Sequence, residues 1–246
     1  MKRVIIIQAR MSSTRLPGKV LMDVAGKPML AQQIHRLQQC PSVDEIVVAT
    51  TTNSSDDAIV KLARREQVGW FRGSEDDVLA RYVGAARQSQ ADVVVRVTAD
   101  CPLIDPAVTD RVVGELIGHA AECDYASNVM RRTYPRGLDV EALFRDTLLR
   151  LDRLARTPPA REHVTSMLRS ERPGLFLCRS VEDSQDNSDL RWTVDTPADL
   201  QLIRIFYTEL GLGVRTIPYP ELLAFAREHP ELSALNADIE TWDPSH

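Results

Sequence analysis

Residues 4–19 read V-I-I-I-Q-A-R-M-S-S-T-R-L-P-G-K. Val4, Ile5, Ile6 and Ile7 offer water no polar face, so residues 4–8 predict a strand covered on both sides, as in the interior of a parallel sheet. From Ala9 the pattern changes to a polar, cationic segment that ends in Pro17-Gly18, a turn signal. A buried strand that runs into such a loop opens a βα unit, and ligands of open α/β sheets bind outside the carboxyl ends of the strands. Chemistry is therefore expected between Ala9 and Lys19.

The rhythm continues outward from this stretch. A helix is expected over 28–39, with Pro28 at its first turn where a missing N–H costs least. A second strand over 45–50 precedes a helix to residue 68, started by a capping-box-like Ser54 and Asp57. A strand over 69–72 leads to a helix started by Ser74 and Asp77, a β-branched strand over 92–98 follows, and Asp105-Pro106 caps the next helix. Four β-then-α units within the first hundred or so residues predict an α/β fold with a doubly wound, mostly parallel mixed sheet. After Cys123 the pattern loosens: a turn over 134–137, a strand over 138–142, helices over 146–155 and 159–169, strands over 175–180 and 190–194, and a helix over 197–210.

The chain of 246 residues, 43% hydrophobic, is long enough for one sizeable core and short enough for one domain. No apolar run approaches the 18 or so residues that span a bilayer, and Met1-Lys2-Arg3 leads straight into the first strand, so a soluble, cytoplasmic protein without a membrane partner is expected. A net charge of -5 argues against a nucleic-acid polymer as partner, which needs a basic face. Cys40, Cys101, Cys123 and Cys178 form no C-x-x-C pair, so reduced, mostly buried thiols are expected.

The loop concentrates Arg10, Arg15 and Lys19 around the hydroxyls of Ser12, Ser13 and Thr14. Guanidinium forks bind phosphate oxygens bidentately and an ammonium adds a compact charge, so the segment reads as a polyphosphate cradle, with a solvated basic turn as the plain alternative. It is neither a Walker loop, since Val20 follows Gly18-Lys19, nor a dinucleotide motif.

Asp100 follows the strand over 92–98 and stands at a second carboxyl edge, beside the first strand in the usual sheet order. It can hold Mg²⁺ against phosphates; a turn or capping role is the alternative, but Asp105 suits that role better. Asp195 follows the run Leu190-Arg191-Trp192-Thr193-Val194 and is either a second metal carboxylate or a helix cap in competition with Thr196. Magnesium takes one or two carboxylates plus phosphate oxygens and water, a share that this pair supplies. No Ser-His-Asp or Cys-His arrangement is legible, and the histidines at 35, 119, 163, 229 and 246 sit mainly in helical or terminal stretches. A metal, three cations and no nucleophile point to direct in-line displacement at phosphorus.

The loop, with G-K-P-M-L after it, resembles the cytidylyltransferase superfamily that makes CMP-activated acidic sugars. The likeness is closer to its spore-coat polysaccharide biosynthesis protein F branch, through V-A-T-T-T-N-x-x-D-D, F-R-G-S-E-D-D-V-L-A-R-Y, R-V-T-A-D-C-P-L-I-D, G-L-D-V-E, R-E-H-V-T and W-T-V-D-T-P-x-D-L, which span residues 4–200. The resemblance implies a nucleotide-diphospho-sugar transferase type of fold (a GT-A-like Rossmann arrangement) and commonly a homodimer. It implies a Mg²⁺-dependent transfer of CMP from CTP to a small sugar or acidic sugar-like acceptor, in cell-surface polysaccharide or glycoconjugate biosynthesis. One domain over 1–246 is expected, with residues 1–120 as the nucleotide half and 121–246 as the acceptor and dimerisation half.

Carried over by position, Ala9, Arg10, Ser13, Arg15 and Lys19 match the triphosphate loop, and Asp100 and Asp195 the metal carboxylates, with Arg10 and Lys19 acting beside them in catalysis. Arg72, Gly73 and Ser74 match a segment beside the nucleotide, and Thr50 to Asn53 fall where base and ribose are expected. This sequence has Thr98-Ala99-Asp100 where better-known members carry Q-x-D, so their sugar pocket is not transferred. On the acceptor side, Asp139 and Glu141 alternate along one strand face and either bind acceptor hydroxyls or amines or form an exposed polar face. Arg161 and His163 enter through the resemblance alone. Two rival readings are a glycosyltransferase using a nucleotide-sugar donor and a noncatalytic nucleotide-binding partner. The three loop cations favour a triphosphate over a nucleotide-sugar, and retention of both aspartates favours catalysis.

Overall fold

A computed structural model describes residues 1–239, so His246 lies outside the described residues. The chain runs through β1 (Arg3–Gln8), a hairpin of β2 (Asp23–Val24) and β3 (Lys27–Pro28), α1 (Met29–Leu37), β4 (Glu45–Thr51), α2 (Asp57–Arg65), β5 (Gly69–Gly73), α3 (Val78–Gln88), β6 (Val93–Thr98) and α4 (Pro106–Gly118). It continues with β7 (Tyr125–Ser127), β8 (Glu141–Phe144), α5 (Arg145–Leu154), α6 (Pro158–Glu162), β9 (Cys178–Ser180), α7 (Pro197–Glu209), α8 (Tyr219–Glu228) and α9 (Pro230–Ala234).

The sheet has the order β5-β4-β1-β6-β8-β7-β9. Only β8 runs against its neighbours, so the sheet is the mostly parallel mixed one expected. The run that decides the fold lies at its centre: β1 pairs in parallel with β4 and with β6. Alternation along β1 sends Ile5 and Ile7 into a core shared with α1, α2 and α4, while Val4 and Ile6 pack with α3 and α5 on the other face. Each such fully buried side chain stabilises the fold by about 1.5–3 kcal/mol, which explains why this strand has no polar side. A third core, around Trp192, Phe206, Tyr207 and Tyr219, seats α7 and α8. Cys40, Cys101 and Cys123 are buried free thiols and Cys178 is half-buried. No helix among the described residues is long and apolar enough to cross a membrane.

Several expectations need correction. Ser54 caps nothing: it lies in a short 3-10 turn, Ser54–Asp56, while the Asp57 carboxylate accepts from Arg72. The N-cap of α3 is Asp77, which accepts from Ala80 N, and Ser74 Oγ instead accepts from Asp77 N. The strand expected over 138–142 begins only at Glu141, because the chain is still turning at Gly137. The helix expected over 159–169 breaks at Val164, whose φ of +57° is costly for a β-branched residue, and resumes as a π-helical turn, Met167–Glu171. The strand expected over 175–180 is confined to β9, after a 3-10 turn at Pro173–Leu175. Residues 190–194 form no strand; their one sheet-like contact is a bridge between Arg191 and Arg136.

Candidate active site

Adjacency of β1 and β6 fixes the site, because the loop after β1 and the turn after β6 leave the same sheet edge side by side. Gly18, at φ +73°, adopts a left-handed conformation that L side chains rarely take, and its N–H donates to Met11 O. The chain then enters a 3-10 turn that points the buried Lys19 inward. Its ammonium donates to Val194 O at 2.6 Å and Asp195 Oδ1 at 2.9 Å, and lies 3.5 Å from Asp100 Oδ2. Burial alone would lower the Lys19 pKa, but the charges of Asp100 and Asp195 outweigh it and raise it, so the ammonium is firmly charged.

The two aspartates are held from behind. Asp100 O accepts from Val194 N at 2.8 Å and from the Thr193 hydroxyl at 3.2 Å, which sews the β6 turn to the segment before α7. Buried Gln33 on α1 donates to Thr98 O and Cys101 O, the carbonyls that flank Asp100. Gly137 is required where the 136–138 turn crosses this seam: a Cβ there would stand 2.5 Å from the carbonyl carbon of Trp192. Thr196 takes the capping role at α7 in a capping box with Asp199, which releases Asp195 to face the cleft.

The carboxylates differ in their surroundings. Asp100 accepts from the Thr98 hydroxyl at 2.6 Å and from Cys101 Sγ at 3.5 Å, and lies 3.5 Å from the Lys19 ammonium. Asp195 is met by Lys19, by Arg15 at 3.0 Å and by Arg191 at 2.8 Å. Burial pushes the Asp195 pKa up, yet these cations bring it below the ordinary aspartate value. Among the described residues no group of three or more His, Cys, Asp or Glu side chains gathers as a metal cage. Two hard carboxylates already bridged by one ammonium do match the protein share of a magnesium site, whose other ligands are phosphate oxygens and water.

Two cavities meet at this seam. One, of about 250 Å³, is lined by Ala9, Arg10, Ser13, Arg15 and Lys19 with Asp100 and Asp195. The other, of about 280 Å³, contains Asp139, Glu141 and His163. Arg15, Thr98, Asp100 and Asp195 line both, so the aspartates stand in the partition. In the second cavity Arg132 clasps Asp139 with two hydrogen bonds, of 2.7 and 2.9 Å. Glu141 pairs with Arg96 and accepts from the Tyr125 hydroxyl at 2.6 Å. Burial lowers the His163 pKa, which favours the neutral ring.

Other expected residues are placed differently. Arg161 lines neither cavity; its guanidinium spans Asp77 and Asp152 and joins the cap of α3 to α5. Arg72 braces the 51–57 loop by donating to Thr51 O, Asn53 O and Asp57. Gly73 O accepts from Thr52 N, which lays the Gly73-Ser74 turn against the same loop. Arg10 reaches Glu75, which also accepts from Ser12 and from Asn53 Nδ2.

Sequence reasoning missed Asp56. This buried carboxylate accepts from the hydroxyls of Thr50 and Thr51, from Thr51 N and, 45 residues away, from Met11 N. It therefore ties the Thr50–Asn53 loop to the cationic loop. The doubled aspartate at 56–57 was a signal, but only tertiary contact shows which of the two is buried.

The cytidylyltransferase family model matches residues 4–207. The spore coat polysaccharide biosynthesis protein SpsF of Bacillus subtilis is 31% identical over 84% of this chain and 86% of that protein. The solved structure of a cytidylyltransferase from Leptospira borgpetersenii superposes with a TM-score of 0.91, at 30% identity, over 99% of this chain and 100% of that one. The CMP:2-keto-3-deoxy-manno-octonic acid synthetase complexed with CTP shares the fold, with a TM-score of 0.66 at 23% identity over 85% of this chain and 100% of the other.

Proposed function

The chain belongs to the cytidylyltransferase family, and from that premise we propose that it moves CMP from CTP onto a sugar or acidic sugar-like acceptor, releasing pyrophosphate, for a cell-surface polysaccharide or glycoconjugate. One observation carries this reading: the cationic cavity and the second cavity share a wall made of Arg15, Thr98, Asp100 and Asp195. A triphosphate in the first and a hydroxylated acceptor in the second would meet across that wall, which suits in-line attack.

In this reading Ala9, Arg10, Ser13, Arg15 and Lys19 cradle the triphosphate, while the 50–53 and 72–74 segments flank the nucleoside. The acceptor oxygen forms a bond to the α-phosphorus, its proton passes to water, and the bond from the α-phosphorus to the oxygen it shares with the β-phosphate breaks, so that pyrophosphate departs with that oxygen. Charge then grows on the leaving pyrophosphate, and the loop cations stand on that side to receive it. Magnesium, held by Asp100 and Asp195, would neutralise phosphate charge when bound. Lys19 fixes the spacing of the two carboxylates, since it touches both. Asp139, Glu141 and His163 face the acceptor. A cytoplasmic homodimer is part of the same proposal.

The deciding experiment screens nucleoside triphosphates against candidate acceptors and records magnesium-dependent pyrophosphate release. CTP alone should support release, and it should raise the melting temperature more than ATP, GTP or UTP does. Equal shifts for all four would remove the cytidine assignment.

A further inference from the structure

We infer that the acceptor cavity holds a second anion site at its inner end, built on Arg169, which takes a terminal phosphate or carboxylate of the acceptor. This deepens the reading of that cavity as the acceptor pocket and rests on it. Six arginines line the cavity, Arg15, Arg96, Arg132, Arg136, Arg169 and Arg191, against four carboxylates. Each carboxylate is already answered by the protein. Asp195 has Arg15 and Arg191, Asp139 has Arg132, Glu141 has Arg96 and Tyr125, and Asp100 has the Thr98 hydroxyl and Lys19.

Arg169 lines the same cavity and takes part in none of these pairs, and its buried Nε has no hydrogen-bond partner among the described residues. A guanidinium without a carboxylate of its own is costly so far from bulk water, and an oxyanion in the cavity that Arg169 lines would supply the missing counter-charge. The position matters as much as the charge. Arg169 acts electrostatically on Glu141, which lies opposite Arg96 in the β6–β8 register. Arg96 lies two strand positions before Thr98, roughly 6–7 Å deeper than the residue whose hydroxyl holds Asp100. The anion is thus set apart from the oxygen that attacks phosphorus. The acceptor class implied is a hydroxylated chain with its oxyanion at the end opposite the nucleophile, and not on the adjoining carbon.

The test uses the full chain saturated with CTP in magnesium-free buffer, so that the cationic loop is filled and no transfer takes place. Calorimetric titrations compare glycerol 3-phosphate, 3,4-dihydroxybutanoate and uncharged glycerol. A charged probe should bind and glycerol should not, and which charged probe binds tells phosphate from carboxylate. Arg169→Gln should weaken that binding at least about tenfold, the loss expected of one charge-assisted contact. CTP affinity should stay unchanged, and Arg169→Lys should recover part of the loss. Because the Arg169 charge also favours the ionised form of Glu141, the glutamine variant is compared with the native protein at a temperature where both are folded. Equal probe affinity in native and variant protein, or no binding of either charged probe, overturns the proposal; so does probe binding only without CTP, which would assign the anion to the loop. The Arg169 comparison is read from the probe titration whether or not CTP binds, whereas failure of CTP to bind counts against the CMP-transfer reading.

Discussion

Lys19 Nζ lies 2.9 Å from Asp195 Oδ1, although 176 residues separate the two in the chain. The ammonium is buried and also faces Asp100, so the loop after β1, the turn after β6 and the segment before α7 act as one electrostatic unit. Neutralising Lys19 or Asp195 strands its close partners, because a charge taken out of water needs its counter-charge.

Asp100→Asn and Asp195→Asn should therefore separate turnover from stability. Each should lower turnover by about a hundredfold or more, since each removes charge from the proposed metal site. Asp195→Asn should also destabilise the protein by about 1–3 kcal/mol, because Lys19, Arg15 and Arg191 lose their shared carboxylate. Asp100→Asn should leave stability nearly unchanged, as its amide oxygen can still accept from Thr98. Kinetics and urea midpoints on both variants decide the matter; native turnover by either would make its residue a structural group only.

Acid stability should depend on Glu141. Burial pushes its pKa up, but the charges of Arg96 and Arg169 and hydrogen bonds from Thr165 and Tyr125 bring it down from 4.5 to about 2. A carboxylate depressed in the folded state stabilises the protein above its unfolded pKa, and that share is lost as pH falls from 4.5 toward about 2. Glu141→Gln, which leaves Arg96 without its counter-charge, should be clearly less stable than the native protein near pH 6. The gap should narrow across that acid window as the native carboxylate protonates. A gap that stays constant down to pH 2.5 would show that the Glu141 charge is not the cause.

The first half of the fold was legible because propensity and burial agree there: buried β-branched runs alternate with amphipathic helices at spacings that leave few alternatives. The second half was less so. Residues 190–194 alternate like a strand, but their burial comes from packing against α7 and α8, and the tight crossing at Gly137 permits one bridge only. The break at Val164 is a tertiary demand that overrides helix periodicity. Lys19, Asp100 and Asp195 could be found because each follows a strand or strand-like run into the same edge. Asp56 and Gln33 could not, since their partners lie far away in sequence. Arg161 was expected on the acceptor side through the resemblance alone, and the structure places its guanidinium between Asp77 and Asp152.

Arg161→Ala should accordingly cost stability and spare the acceptor. The guanidinium holds Asp77 at 2.7 and 2.9 Å and Asp152 at 2.8 Å, mostly shielded from water. Its loss should destabilise by about 1–3 kcal/mol. At a temperature where the variant is folded, the KM for acceptor should change by no more than about threefold. A tenfold rise in that KM without loss of stability would return Arg161 to the acceptor site.

Asp56 and Asp57 offer the sharpest comparison, as neighbours of one residue type in opposite settings. Asp56 is buried, and burial raises its pKa, yet hydrogen bonds from Thr51, Met11 and Thr50 lower it below the ordinary value. Every one of these groups is a donor, so Asp56→Asn would turn an NH₂ toward N–H or O–H groups and leave at least one of them unpaired. That mismatch costs about 1–3 kcal/mol, and it releases the Thr50–Asn53 loop from Met11. If those loops bind nucleoside and triphosphate together, the KM for CTP should rise about tenfold or more while the KM for acceptor stays near its native value. Asp57 is exposed and, among the described residues, its carboxylate meets Arg72, so Asp57→Asn should change stability by under about 1 kcal/mol and leave CTP binding intact. Equal effects of the two substitutions on CTP would mean that the Asp56 link does not organise the nucleotide cleft.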